Sequence, residues 1–320
     1  MAFNSLTFLA FLCLTVILFW TLPKKIQLPA IFISSLAFYG SYVPSHIALL
    51  SWSILFNFFA AQLIAWKKLT RHRTTLLFVA VGGNLFLLLY FKYIAFLFDN
   101  IFSIFNFFGY QTLVDVPSVL LPIGISFYTF QAISYVVDVY RRDQNPTRNF
   151  FLFGCYISFF PQLIAGPILR AGEVMAQLSA PKKIRTEFLS RGIRLIIFGL
   201  FLKVVLADNL SPLVDESFSA SADLLGALDV LTMSFLFGYQ IYFDFAGYSM
   251  IAVGCASLFG LQFPNNFYFP YAACSPREFW QRWHITLSSW IRDYLYAPLC
   301  RVKGEKRSTG GLKLSHTKTF

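Results

Sequence analysis

The sequence predicts an all-α protein, a polytopic bundle of about seven transmembrane helices with re-entrant or interfacial helices added to it. Three observations carry that prediction. Of the 320 residues, 57% are hydrophobic and 13% charged, against about 25% charged in an ordinary soluble domain. Apolar runs of about spanning length recur at 5–22, 28–43, 46–66, 75–98, 117–140, 186–207 and 228–251. The 26 Lys and Arg residues gather in short clusters between those runs, as cytoplasmic loops do beside anionic lipid.

The first run has no basic stretch before it and no small-x-small cleavage site after it, so it reads as a retained helix rather than a signal peptide. Lys24 and Lys25 follow it and place its end in the cytoplasm. The linker 44–45 and the stretch 99–115 lack Lys and Arg. The loops after 66 (Lys67, Lys68, Arg71, Arg73) and after 140 (Arg141, Arg142, Arg148) are basic. Sides therefore alternate through five spans from an external N-terminus.

Segment 149–166 is apolar but basic on both flanks. A re-entrant or interfacial hairpin resolves that conflict, and Pro161 and Gly166-Pro167 suit irregular backbone buried in protein. Span 186–207 then leads to an acidic external loop (Asp208, Asp215, Glu216, Asp223), and 228–251 returns to the cytoplasmic face. Segment 275–299 is too polar to face lipid. Ser275-Pro-Arg-Glu278 reads as a capping box with Pro at the first helical position. One helix started there puts Trp280, His284, Leu287 and Ile291 on one stripe and Arg282, Ser289 and Asp293 on another. Residues 1–299 read as a single transmembrane domain and 301–320 as a disordered, basic polar tail.

A net charge of +11 raises nucleic-acid binding, but no nucleic-acid-binding motif accompanies it, and the basic clusters fit a lipid surface instead. Five cysteines (Cys13, Cys155, Cys255, Cys274, Cys300) are dispersed without a CxxC, which disfavours a disulfide framework or zinc site. HExxH, P-loop, dinucleotide and GxSxG signatures are missing. With four histidines in the chain, a His-rich metal site is hard to build, and none is expected.

Chemistry therefore rests on isolated polar groups in apolar surroundings, where an ionisable residue is a functional hypothesis by default. His284, among Trp280, Trp283 and Trp290, is either a general base for a hydroxyl nucleophile or a core histidine bonded to a neighbouring helix. His46, His72 and His316 lie at span edges, in basic loops or in the tail. Asp244 and Gln240 stand one turn apart near the hydroxyls of Tyr242 and Tyr248. They either line a cavity or bond across helices. The Phe159–Arg170 stretch, with Gln162, is either a cavity wall or a helix-breaking loop. Leu121–Gln131, followed by Asp138, suits helix packing and a substrate path equally.

Together and in this order, Leu121-Pro-Ile-Gly-Ile-Ser-Phe-Tyr-Thr-Phe, Phe160-Pro-Gln-Leu-Ile-Ala-Gly-Pro, Tyr242-Phe-Asp-Phe-Ala-Gly-Tyr-Ser, Pro264-Asn-Asn-Phe, Phe279-Trp-Gln-Arg-Trp-His-Ile-Thr-Leu-Ser and Arg292-Asp-Tyr-Leu-Tyr resemble the membrane-bound O-acyltransferase family, its bacterial alginate O-acetyltransferase-like branch in particular. The resemblance implies a ring of helices around a thinned centre crossed by a tunnel. It implies a multi-pass protein of the bacterial inner membrane that moves an acyl group, acetyl by expectation, from a cytoplasmic donor to a hydroxyl. The donor is acetyl-coenzyme A as substrate, with no bound cofactor. The acceptor is an exported polysaccharide such as alginate, or a periplasmic acyltransferase partner protein.

In that picture His284 is catalytic, and Gln162, Gln240, Asp244, Arg282 and Ser288 line the tunnel or bind substrate. Family members carry an invariant histidine in a later Leu-Trp-His-Gly-like motif, which these 320 residues lack. The expectation is a C-terminally truncated chain, inactive or impaired alone. Two other classes stand beside the enzyme: a non-catalytic scaffold or pseudoenzyme that keeps partner binding, and a transporter or flippase, for which no inverted repeat is visible.

Overall fold

Long apolar stretches without proline make the longest helices. A computed structural model describes residues 1, 3–108, 120–180, 183–221 and 225–300. Every regular element among them is helical: α1 (Leu6–Thr21), α2 (Lys24–Gly40), α3 (His46–Ala65), α4 (Arg73–Phe107), α5 (Ile125–Arg141), α6 (Phe150–Ser158), α7 (Phe160–Leu163), α8 (Ala171–Ser179), α9 (Thr186–Leu200), α10 (Asp208–Ser219), α11 (Ala227–Leu258), α12 (Pro276–Arg282), α13 (Ile285–Ile291) and α14 (Ala297–Cys300). Three are long and apolar enough to cross a membrane: α3, α4 with the 3-10 turn before it, and α11. The expected tail 301–320 lies outside the described residues.

Helix ends depart from the apolar runs where local chemistry overrides hydropathy. Lys24 and Lys25 form the first turn of α2 instead of a loop, directly after Pro23, which pre-sets the chain for a helix start. α4 runs on through 99–107, expected as loop, because Ile101, Phe102, Ile104 and Phe105 continue its apolar pattern with no Pro or Gly to end it, and Asn100 and Ser103 occupy their hydrogen bonds on the carbonyls of Phe96 and Asp99. α5 begins at Ile125, later than the apolar run, because Gly124 adopts φ +74°. A Cβ on Gly124 would lie 2.1 Å from the Leu163 carbonyl oxygen, so the α5 entry and α7 fit together at a glycine. The acidic stretch after 207 is helical rather than a loop: α9 passes through a π-helical turn, Phe201–Ala207, into α10, which carries Asp208, Asp215 and Glu216.

α6 and α7, of 9 and 4 residues, are each too short to cross a bilayer. Residues 152–163 are nonetheless buried throughout, inside the main core with α1, α2, α3 and α5. Some polar groups of this core are bonded in pairs. Asn57 and Asn84 exchange hydrogen bonds of 3.0 and 2.7 Å between α3 and α4.

α9 and α11 pack along a seam of facing glycines. A Cβ on Gly199 would meet Gly247 O at 2.7 Å, and one on Gly192 would meet Gly254 O at 2.9 Å. The two pairs run in opposite chain directions, so the helices are antiparallel and touch backbone to backbone, a small-residue contact of the kind membrane helices use.

Candidate functional site

After α11 the chain turns back at Gly260 (φ +70°) and runs alongside that helix in extended form. Phe267 packs on Tyr242 and Phe245, and farther on the Tyr271 hydroxyl donates to Gly238 O (2.6 Å). The chain reverses through a 3-10 turn, Pro270–Ala272, and descends as α12 and α13. Phe279 stacks on Trp283 and Trp283 lies against Tyr242 and Phe267, so the returning arm covers the ascending one.

The start of α12 follows the local pattern: Ser275 Oγ accepts from the Glu278 N–H (3.2 Å). Glu278 Oε2 accepts from the N–H of Cys274, one residue earlier than a capping box predicts. These bonds, with the Arg282 guanidinium, hold the Glu278 carboxyl below its usual range.

The single helix expected over 275–299 does not form. It breaks at Trp283 (φ −102°, ψ 126°) and His284 (φ 42°, ψ 55°), so the stripe through Trp280, His284, Leu287 and Ile291 is not one helical face. The cause is the ascending arm. Tyr268 N–H donates to Arg282 O (2.9 Å), and Ile285 N–H donates to Asn266 O (2.9 Å). Asn266 Oδ1 accepts from the Thr286 hydroxyl (2.6 Å), and that hydroxyl accepts from Ile168 N–H (2.9 Å). Backbone groups that would have closed helical turns are bonded sideways instead. A left-handed non-glycine residue costs on the order of 1–3 kcal/mol and persists only where its surroundings over-determine it.

That conformation seats the His284 side chain in a box of rings. Phe245 meets it edge-on with centroids 4.8 Å apart, and Phe127 and Phe267 lie near-parallel at 6.2 and 6.5 Å. The residue is 7% exposed, and Nδ1 is buried with no hydrogen bond to the described residues. A charged imidazolium without a partner is costly among such rings, so the ring rests neutral and its free nitrogen can take a proton.

The other candidates divide. Ser288 belongs to the box: its N–H donates to His284 O (3.1 Å) and its hydroxyl reaches Trp283 O (3.4 Å). Asp244 precedes Phe245 and pairs with Lys203 of the π turn (2.7 Å), which also holds Asp208 (2.7 Å). Gln240, one turn before Asp244, has its Oε1 buried without a partner among the described residues. Gln162 and Arg282 make their contacts elsewhere. Gln162 Nε2 donates to Tyr156 O (2.7 Å) in the main core. Arg282 pairs with Glu278 (2.5 Å) and lies over the Tyr268 ring.

Two groups of the assembly escape a sequence reading. Asn266 and Thr286 join the arms, although 20 residues separate them. The far end of the returning arm is fastened where Arg170 pairs with Asp293 and the Tyr294 hydroxyl donates to both oxygens of Asp138 (2.9 and 2.8 Å). Tyr294 lies under the Arg141 and Arg170 guanidinium groups. Among the described residues no cluster of His, Cys, Asp and Glu could hold a metal ion.

Removing the Lys203 charge tests the ionic link behind the box. Lys203→Met, Asp244→Asn and the double variant are expected to be non-additive by more than about 0.5 kcal/mol in melting experiments, the range for residues in one network. Strict additivity would sink the link.

Membrane-length helices, backbone broken inside the fold and an imidazole enclosed by rings describe a helical membrane protein with a buried histidine at the break. The model of the membrane-bound O-acyltransferase family matches residues 146–314, and the chain belongs to that family. It is 37% identical over 306 residues to a probable alginate O-acetylase AlgI of Azotobacter vinelandii, covering 95% of this chain and 60% of that protein. A probable alginate O-acetylase AlgI of Pseudomonas aeruginosa is 37% identical over 312 residues, 97% of this chain and 59% of that one. A peptidoglycan O-acetyltransferase of Helicobacter pylori is 34% identical over 293 residues, 83% and 54% respectively. The chain thus spans about 60% of the length of the curated relatives it matches. The family and these relatives make it a bacterial membrane protein.

Proposed function

We propose that the protein is an O-acyltransferase of the bacterial inner membrane that acetylates a hydroxyl of an exported polysaccharide, or of a periplasmic partner that passes the acetyl group on. The observation that carries this reading is the His284 box: a buried, neutral imidazole with a free ring nitrogen, held in a strained backbone conformation by a dedicated set of hydrogen bonds. Phe245 lies about 20 Å along α11 from its end at Leu258, so the box sits near mid-depth of a helix long enough to cross. A donor from the cytoplasm and an acceptor from outside would meet there. The remaining helices complete the bundle of about seven crossings, with 149–166 and the arms around His284 re-entering without crossing.

In the reaction, His284 takes the proton of the acceptor hydroxyl as its oxygen bonds to the acyl carbon of acetyl-coenzyme A. The carbon–sulfur bond breaks, and the departing thiolate recovers the proton from the imidazolium. The protein needs no resident cofactor for this. Asp244, Gln240 and Ser288 flank the path; the partners of Gln162 and Arg282 favour structural roles.

The test is transfer of labelled acetyl from acetyl-coenzyme A to a hydroxyl acceptor by the protein in native membranes, followed over pH. His284→Gln, which keeps a polar side chain but no base, should lower transfer at every pH, and transfer at the wild-type rate in that variant contradicts the assignment of His284.

A further inference from the structure

Beside the His284 box lies a small cleft of about 10 Å³, room for a single oxygen-sized atom, between α11 and the ascending arm, lined by Ala246, Ser249, Met250, Val253, Asn265, Asn266 and Phe267. Its buried walls are apolar except for Ser249 and Asn266, each 2% exposed, and the exposed Asn265 completes the lining. Asn266 Nδ2 and Ser249 Oγ are both buried there without a hydrogen-bond partner among the described residues. Native interiors rarely leave such groups unpaired, at about 1–3 kcal/mol each.

The Asn266 amide has one allowed orientation. Thr286 N–H, a donor only, points at Oδ1 (3.4 Å) and fixes the oxygen on that side, where the Thr286 hydroxyl, which accepts from Ile168, donates to it (2.6 Å). The NH2 group is therefore forced away from Thr286, toward the cleft. Ser249, in mid-helix, makes none of the usual bonds back to the preceding turn. Two neutral donors thus face a small apolar space, and the arm that carries one of them bonds the residue after His284 through Asn266 O. Neutral donors among apolar walls suit an uncharged acceptor atom that gains charge during reaction, not a resident anion.

We propose that Asn266 Nδ2 and Ser249 Oγ form an oxyanion site that holds the carbonyl oxygen of a short-chain acyl thioester during transfer, an inference that rests on the acyl-transfer reading. As the acceptor oxygen bonds to the acyl carbon, the carbonyl electron pair moves onto this oxygen. It returns when the carbon–sulfur bond breaks. Donors fixed before reaction stabilise that charge without reorganising.

The probe is acetyl-coenzyme A labelled with 13C at the carbonyl, bound to the whole protein in lipid nanodiscs and read by infrared difference spectroscopy beside steady-state kinetics. The C=O stretch should move to lower frequency in wild type and equally in His284→Ala. Asn266→Asp, which keeps the Thr286 contact but removes the donor, should lose that displacement and lower kcat on the order of a hundredfold at nearly constant KM. Ser249→Ala removes a hydroxyl with no protein partner, so it should fold normally, lose part of the displacement and lower kcat by about tenfold. An absent displacement in wild type, including through failure of the thioester to bind, overturns the proposal. So does a full displacement in both variants. A normal displacement without any transfer by wild type sinks the acyltransfer reading and leaves the carbonyl site standing.

Discussion

Replacing His284 with alanine is expected to lower acyl transfer by about 10²- to 10⁴-fold, the range supplied by a positioned general base. The expectation rests on the isolation of the ring: three Phe side chains enclose it, and among the described residues no other histidine lies in the box. The fold should survive, because the bonds that shape the break use the backbone of Tyr268, Arg282 and Ile285 and the side chains of Asn266 and Thr286. His284→Asn, a residue that tolerates the left-handed conformation, serves as the backbone control and should be as inactive as alanine. Exogenous imidazole should recover part of the rate in His284→Ala, since the cavity left has the shape of the ring. A correctly folded His284→Ala protein with wild-type turnover would remove the base from the mechanism.

Gly247→Val should have the largest effect on folding. A Cβ there meets Gly199 O at 2.8 Å, Lys203 N at 3.1 Å and Lys203 Cβ at 3.2 Å. Backbone lines most of the contact, so no side chain can swing away, and α9 and α11 must separate. The cost should reach the upper end of overpacking, about 3 kcal/mol, and extend to the Lys203–Asp244 pair one turn away. Melting of the detergent-solubilised protein reads it. Gly82→Ala in α4 is the contrast: nothing lies within 4 Å of its Cβ, and alanine in a helix interior gains about 0.5–1 kcal/mol over glycine. A Gly247→Val protein that melts with wild type would show that the seam yields.

Both predictions draw on residues the sequence made visible to different degrees. The runs under α1, α3 and α11 were legible because lipid and core impose the same apolar demand over a whole helix. Helix ends were not: 99–107 continues α4 because nothing in it breaks a helix, and 208–219 joins α9 through a π turn. Gly247 and Gly199 could be suspected as small residues, but their partnership appears only when the helices are antiparallel and in contact.

At the site the contrast is sharper. The cap at Ser275 was legible because its bond to Glu278 spans three residues. The break at His284 was not, because capping and amphipathic spacing both favour one continuous helix, and the preference is overturned by Asn266 and Tyr268 on another arm. Asp244 was rightly singled out as a carboxylate in need of a partner. Its partner Lys203 sits in an apolar run 41 residues earlier, with no spacing rule to join them.

The sequence by itself determined a helical membrane protein, the placement of its longer helices and the family, and it singled out one histidine as the candidate base. The family follows from the resemblance of its motifs; the rest follows from composition or from contacts within a turn or two, where chain geometry leaves few choices. Only the tertiary structure decided that His284 stands at a break, that Asn266 is locked with its donor toward a cleft, and that Gln162 and Arg282 bond elsewhere. Those outcomes depend on which distant groups satisfy one another once water is gone, a long-range competition that local pattern does not encode.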